Sequence, residues 1–136
     1  MPVILDCDFI KKGEDLDIPL GFNATCTISE QVGDPVVLHD SIDGQVERLA
    51  SNVYDKLVIG IIASKSSDTE CFVVVAGVLD PIGPGGYDQA LNTVWVSPTG
   101  SLTTTKPVTG HLQVLGRATS STGIVVSIEN RKTVQA

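Results

Sequence analysis

The chain has 136 residues and a net charge of −7 at pH 7, a length that suits one domain with a buried core. Hydrophobic residues make up 42% but aromatics only 4%, so the core must be built from Val, Ile and Leu, and their β-branched members favour strands. Thirteen glycines and seven prolines leave little room for a long helix, and eleven acidic against three basic residues over positions 1–55 speak against a phosphate backbone as partner.

Met1–Lys12, MPVILDCDFIKK, lacks the basic leading region and long apolar stretch of a signal peptide. No apolar run approaches the ~20 residues needed to span a membrane as a helix. The expectation is a protein made in a reducing cytoplasm and without a membrane partner. Pro2–Ile10 reads as a strand or an extended arm, and Lys11–Asp17 as a polar turn around Gly13. Ala24–Ser29 alternates as a half-buried strand does. Val36–Leu38 is a short strand, and Asp40–Gly44 holds an Asp-Gly turn of the kind that closes hairpins. Gln45–Leu49 alternates again. Leu57–Ala63 and Cys71–Val78 are dense apolar strands joined by a polar turn over Lys65–Glu70, the second expected to be buried on both faces.

Asp80–Asp88, DPIGPGGYD, is a Pro/Gly-rich connector and the one plausible internal boundary. Beyond it, strands are expected at Thr93–Val96, Leu102–Thr105, Leu112–Ala118 and Ile124–Ile128, with a polar tail from Asn130. The two halves match in outline. Val36-Val37-Leu38 corresponds to Val94-Trp95-Val96, and Leu57–Ala63 to Gln113–Thr119. Gly44 and Gly100, like Gly60 and Gly116, are 56 positions apart. One such unit exposes too much apolar surface, and two packed face to face bury it. The expected fold is therefore all-β: a compact sandwich or small barrel of two similar β units with an extended N-terminal arm. Its divisions are 1–30 for the arm and first strand, 31–79 for the first unit, 80–92 for the connector and 93–136 for the second unit.

Few residues suggest chemistry. His39-Asp40-Ser41 has the residue types of a hydrolase triad, but triad members meet from distant positions, and neighbours on a strand face opposite ways. His111 has no His or Cys nearby to share a metal. Asp6, Asp8, Glu14, Asp15 and Asp17 lack the spacing of a calcium loop and read as a solvated acidic edge. Cys7, Cys26 and Cys71 form no CxxC pattern and read as small buried apolar residues. Gly77–Asp88 is faintly similar to the segment that carries the catalytic Asp of deoxyuridine triphosphatases. That similarity would make Asp80 a general base, although the family's Ser-bearing phosphate motif and glycine-rich C-terminus have no counterpart.

VGDPVVLHDSIDGQVERL followed by LVIGIIA resembles a pattern of small phage head proteins. NTVWVSPTGSLTTTKPVTGHLQVLGRATSSTGIVVSIE is similar to C-terminal modules of phage capsid-decoration and fibre-type virion proteins. The resemblance covers about Val32 to Glu129. It implies a non-catalytic cement protein on the capsid exterior, with no cofactor, metal or small-molecule substrate. Its partners would be itself, as a homotrimer, and the major capsid protein. A tail or head-fibre structural module is the alternative, and a nucleotide hydrolase the remote one. The expected interface residues are Val3, Leu5, Phe9 and Ile18 on the arm, together with Tyr87 and Trp95. Trp95 reads equally well as an ordinary core residue.

Overall fold

Eleven strands and no helix make up the described residues of the computed structural model, which are 19–52, 56–82, 85–87, 93–129 and 133–134. In order they are β1 (Leu20–Thr25), β2 (Pro35–Leu38), β3 (Val46–Arg48), β4 (Gly60–Ser67), β5 (Glu70–Leu79), β6 (Thr93–Val96), β7 (Leu102–Thr103), β8 (His111–Leu112), β9 (Val114–Ala118), β10 (Ile124–Ser127) and β11 (Thr133–Val134). Nine of them form one antiparallel sheet, in the order β3-β2-β4-β5-β10-β9-β6-β7 with β1 also on β5; β8 and β11 pair separately. The chain is all-β, as its Val/Ile-rich alternation predicts.

The order reads the same from either end. Each half contributes a hairpin whose inner strand pairs with a third strand, which pairs with a fourth: β3-β2-β4-β5 and β7-β6-β9-β10. The fourth strands, β5 and β10, pair antiparallel from Ala76↔Ser127 to Leu79↔Ile124 and join the halves. The long strand β5 serves both halves: Glu70–Val74 pairs with β4, and Ala76–Leu79 with β10.

The first half closes on itself. β1 pairs with β5, β5 with β4, β4 with β2 and β2 with β3, and a parallel bridge from Thr25 to Gln45, at the start of β3, completes the ring. The Thr25 N–H donates to the Gly44 carbonyl at 3.0 Å. Inside the ring sit Ala24, Cys26, Val36, Val46, Ile62, Cys71 and Val73. Small side chains at three of these positions suit so narrow an interior.

Neighbouring residues on the same strands point outward, because successive side chains alternate. Val37, Ile61 and Val74 therefore lie on the outer wall, and the second half packs over them with Val94, Val96, Leu102, Leu115, Ala118, Ile124 and Val126. This second, larger core is shared by both halves. Gln113 ties them further: its Oε1 accepts from the Val58 N–H at 2.8 Å, and its Nε2 donates to the carbonyls of Val58 (2.9 Å) and Glu129 (2.7 Å).

Several boundaries differ from the expected ones for physical reasons. β4 and β5 stay paired through Ser67↔Glu70, beyond the end of the apolar run, because ladder hydrogen bonds need no apolar side chain. The strand expected over Leu112–Ala118 is split at Gln113, whose side chain is committed to Val58. The strand expected at Ala24–Ser29 runs over Leu20–Thr25 instead. Beyond it the Cys26 N–H donates to the Thr69 carbonyl and the chain turns, the Glu30 N–H donating to the Thr27 carbonyl. β5 is buried on both faces only in its first half, and Val78 is 44% exposed. The expected arm residues Val3, Leu5, Phe9 and Ile18 lie outside the described residues.

Candidate functional site

The polar clusters are used by the fold itself. His39 Nδ1 accepts from the backbone N–H groups of Ser41 and Ile42, both at 3.2 Å, so the imidazole shapes the β2–β3 turn. Asp40 pairs not with His39 but with Lys56 Nζ at 3.1 Å, and Glu47 pairs with the same ammonium at 3.2 Å. Hydrogen bonds to these two carboxylates raise the Lys56 pKa. No Ser–His–Asp relay is assembled from these three residues.

Asp80, the candidate base of the hydrolase reading, accepts from Thr122 Oγ1 at 2.8 Å and Ser120 Oγ at 3.3 Å. A Cβ on Gly123 would press into the Asp80 side chain, so that glycine lets the β9–β10 turn close over the carboxylate. The nearby backbone adds to the lock: the Ile82 N–H donates to the Thr122 carbonyl, and the Tyr87 N–H to that of Ser121. Together these bonds fasten Asp80, Ile82 and Tyr87 of the connector to the second half.

Buried polarity is concentrated at the junction of the halves. Asn52 is buried and donates from Nδ2 to the Thr109 carbonyl at 2.8 Å, while its Oδ1 and the His111 Nδ1 are buried without a partner. Cys26 and Cys71 are free thiols inside the ring. Burial, and then the hydrogen bond with Cys26, push the Cys71 thiol up to about 12. It is thus a poor nucleophile. Among the described residues no group of three or more His, Cys, Asp or Glu is placed to hold a metal ion, and no helix is long and apolar enough to cross a membrane.

One stretch of surface stands open to a partner. The sheet face that lines the ring in the first half continues into the second half, where no ring of strands closes over it among the described residues. Pairing places Leu20 beside Ala76, Ala76 beside Ser127, and Val78 beside Val125 on this face. Leu20 is 66% exposed. The face continues across β9 and β6 as a groove of about 240 Å³ that includes Trp95, Val114, Arg117 and Val125. Trp95 is half-buried beneath Lys106, whose Nζ lies 5.9 Å from the ring centroid, within cation–π range.

The two expected aromatic anchors therefore part company. Trp95 lies on the open face. Tyr87 is only 5% exposed, packs in the shared core and donates its hydroxyl to the Ile82 carbonyl at 3.0 Å. Burial raises its pKa. Leu20, Val78 and Val125 belong to the same surface but are individually ordinary strand residues. Only the register of β5 with β1 and β10 brings them together. No family model matches the chain, and neither does a curated protein or a solved structure.

Proposed function

We propose that the chain is a structural protein of a tailed-bacteriophage virion, a capsid decoration (cement) protein that acts without catalysis. It binds the outside of the assembled coat lattice as a homotrimer, contacts the major capsid protein and stabilises that lattice. The open face over β5, β10, β9 and β6, where Val78, Val125, Val114 and Trp95 lie among the polar Thr93, Arg117, Ser127 and Glu129, carries this reading. It belongs to a body whose candidate catalytic groups are occupied by hydrogen bonds and ion pairs within the fold. The resemblance of Val32–Glu129 to phage virion modules supports it.

The mechanism is mass action. A ligand that binds only the assembled lattice stabilises it, by about 2.7 kcal/mol per site when free protein stands at about 100 times Kd. A trimer that spans several coat subunits multiplies the effect through effective concentration. The test is to mix purified protein with expanded, undecorated capsids. The expected result is stoichiometric binding at threefold sites and a higher capsid disruption temperature. Failure to bind capsids together with binding to tail components would replace cement with a tail module. Nucleotide turnover lost in Asp80→Asn would replace it with a hydrolase.

A further inference from the structure

We propose that the open face is a strand-docking site for the N-terminal segment of a second copy of this chain, Val3–Ile10 of one protomer lying across β5, β10, β9 and β6 of the next. This deepens the self-association in the proposed function and rests on that part of it.

The first half shows what the same side of the sheet requires. There it is sealed by ring closure, and Cys26, Val36, Ile62, Cys71 and Val73 are all buried. Beyond the ring the same side presents the exposed Leu20 and Val78 and the half-buried Val125, Val114 and Trp95, the last beneath Lys106, an apolar stripe of the kind that marks an interaction site.

The occupant follows from the chain itself. In Val3-Ile4-Leu5-Asp6-Cys7-Asp8-Phe9-Ile10, Val3, Leu5, Cys7 and Phe9 would share one side of an extended strand and Ile4, Asp6, Asp8 and Ile10 the other, so only the first side is apolar throughout. An unbroken apolar side is what this face accepts. Charge agrees with it on balance. Residues 1–18 carry five acidic and two basic side chains, whereas the groove sets Arg117, with Lys106 over Trp95, against the single carboxylate of Glu129.

The direction of entry favours a second copy. A Cβ on Gly77 would meet Pro19, so the chain reaches β1 alongside β5, in the plane of the sheet. A segment arriving in that plane must reverse to cover its own face, whereas one arriving from a neighbour need not. Eighteen residues reach up to ~60 Å when extended, enough to cross between protomers. The contact is heterologous, arm into face, so identical copies can close into a ring such as a trimer.

The test uses full-length chains in solution and no capsids. Native mass spectrometry and sedimentation of the wild type should show a closed oligomer. Phe9→Asp, which spoils the arm, and Val125→Asp, which spoils the face, should each weaken association at least tenfold while keeping the strand signal in circular dichroism. Mixing the two should restore one-to-one association, because the first retains a good face and the second a good arm. If Val125→Asp fails to fold, the exposed substitution Arg117→Glu takes its place. A monomeric wild type, meaning an arm that folds back on its own face or does not dock, overturns the proposal. So does an oligomer that both substitutions leave intact, or variants that do not complement. Capsid binding is measured separately, so a cement protein that assembles through another surface would fail here and still bind its lattice.

Discussion

Two glycines 56 positions apart stand where the next strand comes too close for a side chain. A Cβ on Gly60 would overlap the Val74 carbonyl and the Val73 side chain; one on Gly116 would overlap the Val125 carbonyl. Backbone cannot move aside as a flexible side chain can, so each site is closed to alanine. Gly116→Ala should cost about 2 kcal/mol or more, read as a lower urea midpoint with unchanged slope. Ser127→Ala, a solvent-facing change on the strand paired with β9, should stay within about 0.5 kcal/mol. Equal stability of the two variants would contradict the close approach. The glycines share a backbone role but not a core: Gly60 pairs with Val36, which faces the ring interior, and Gly116 with Val94, which faces the shared core. Cys71 gives a second prediction at this scale. Its thiol, held up to about 12 by burial and by Cys26, should resist a disulfide reagent at pH 8 in the native protein and react once the chain unfolds, as peptide mapping would show. The linkage follows. The unfolded thiol ionises near its ordinary value of 9.0 while the native one stays protonated, so this group's contribution to stability falls as pH rises from about 9 toward 12.

At the scale of elements, the residue that joins the halves is a glutamine inside an apolar run. Gln113 gives the Val58 N–H, the Val58 carbonyl and the Glu129 carbonyl their hydrogen bonds. Gln113→Leu keeps the volume but strips those partners. With two or three backbone groups left unpaired in a buried setting, the expected loss is about 3 kcal/mol, measured by thermal and urea unfolding. An unchanged melting temperature would show that the bonds are replaced by water. The strands themselves were legible from the sequence, because Val/Ile alternation and Gly-marked turns report burial and chain reversal directly. The role of Gln113 was not, since a polar residue in a strand reads as solvent-facing until its partner 55 positions away is known. Ring closure was equally hidden. β1 is mostly exposed and bonds through its backbone, which leaves almost no pattern in side-chain polarity. The open face escaped for a related reason: its apolar residues sit on five different strands, and only register makes them one surface.

At the scale of the molecule, the duplicated strand order does not make two independent domains. The large core is built from the outer wall of the ring, at Val37, Ile61 and Val74, and from the inner side of the second half, at Val94, Leu115, Ile124 and Val126. Neither half can bury its share alone. The strand that joins them, β5, is continuous through both halves of the one sheet, and the Asp80 turn fastens the connector to β9–β10. Unfolding should therefore be a single cooperative transition, with near-UV and far-UV signals coincident and calorimetric and van't Hoff enthalpies equal. Separation tests the point more sharply. A chain cut between Gln89 and Ala90 gives two pieces, each carrying one half of the strand order. Expressed alone, residues 90–136 should be unfolded and residues 1–89 should aggregate through the uncovered outer wall. Expressed together, they should reassemble into a soluble complex with the melting profile of the intact chain, lowered by the lost connection. Independent folding of either piece would mean that the shared core contributes little, and that the two halves are domains in fact as well as in outline.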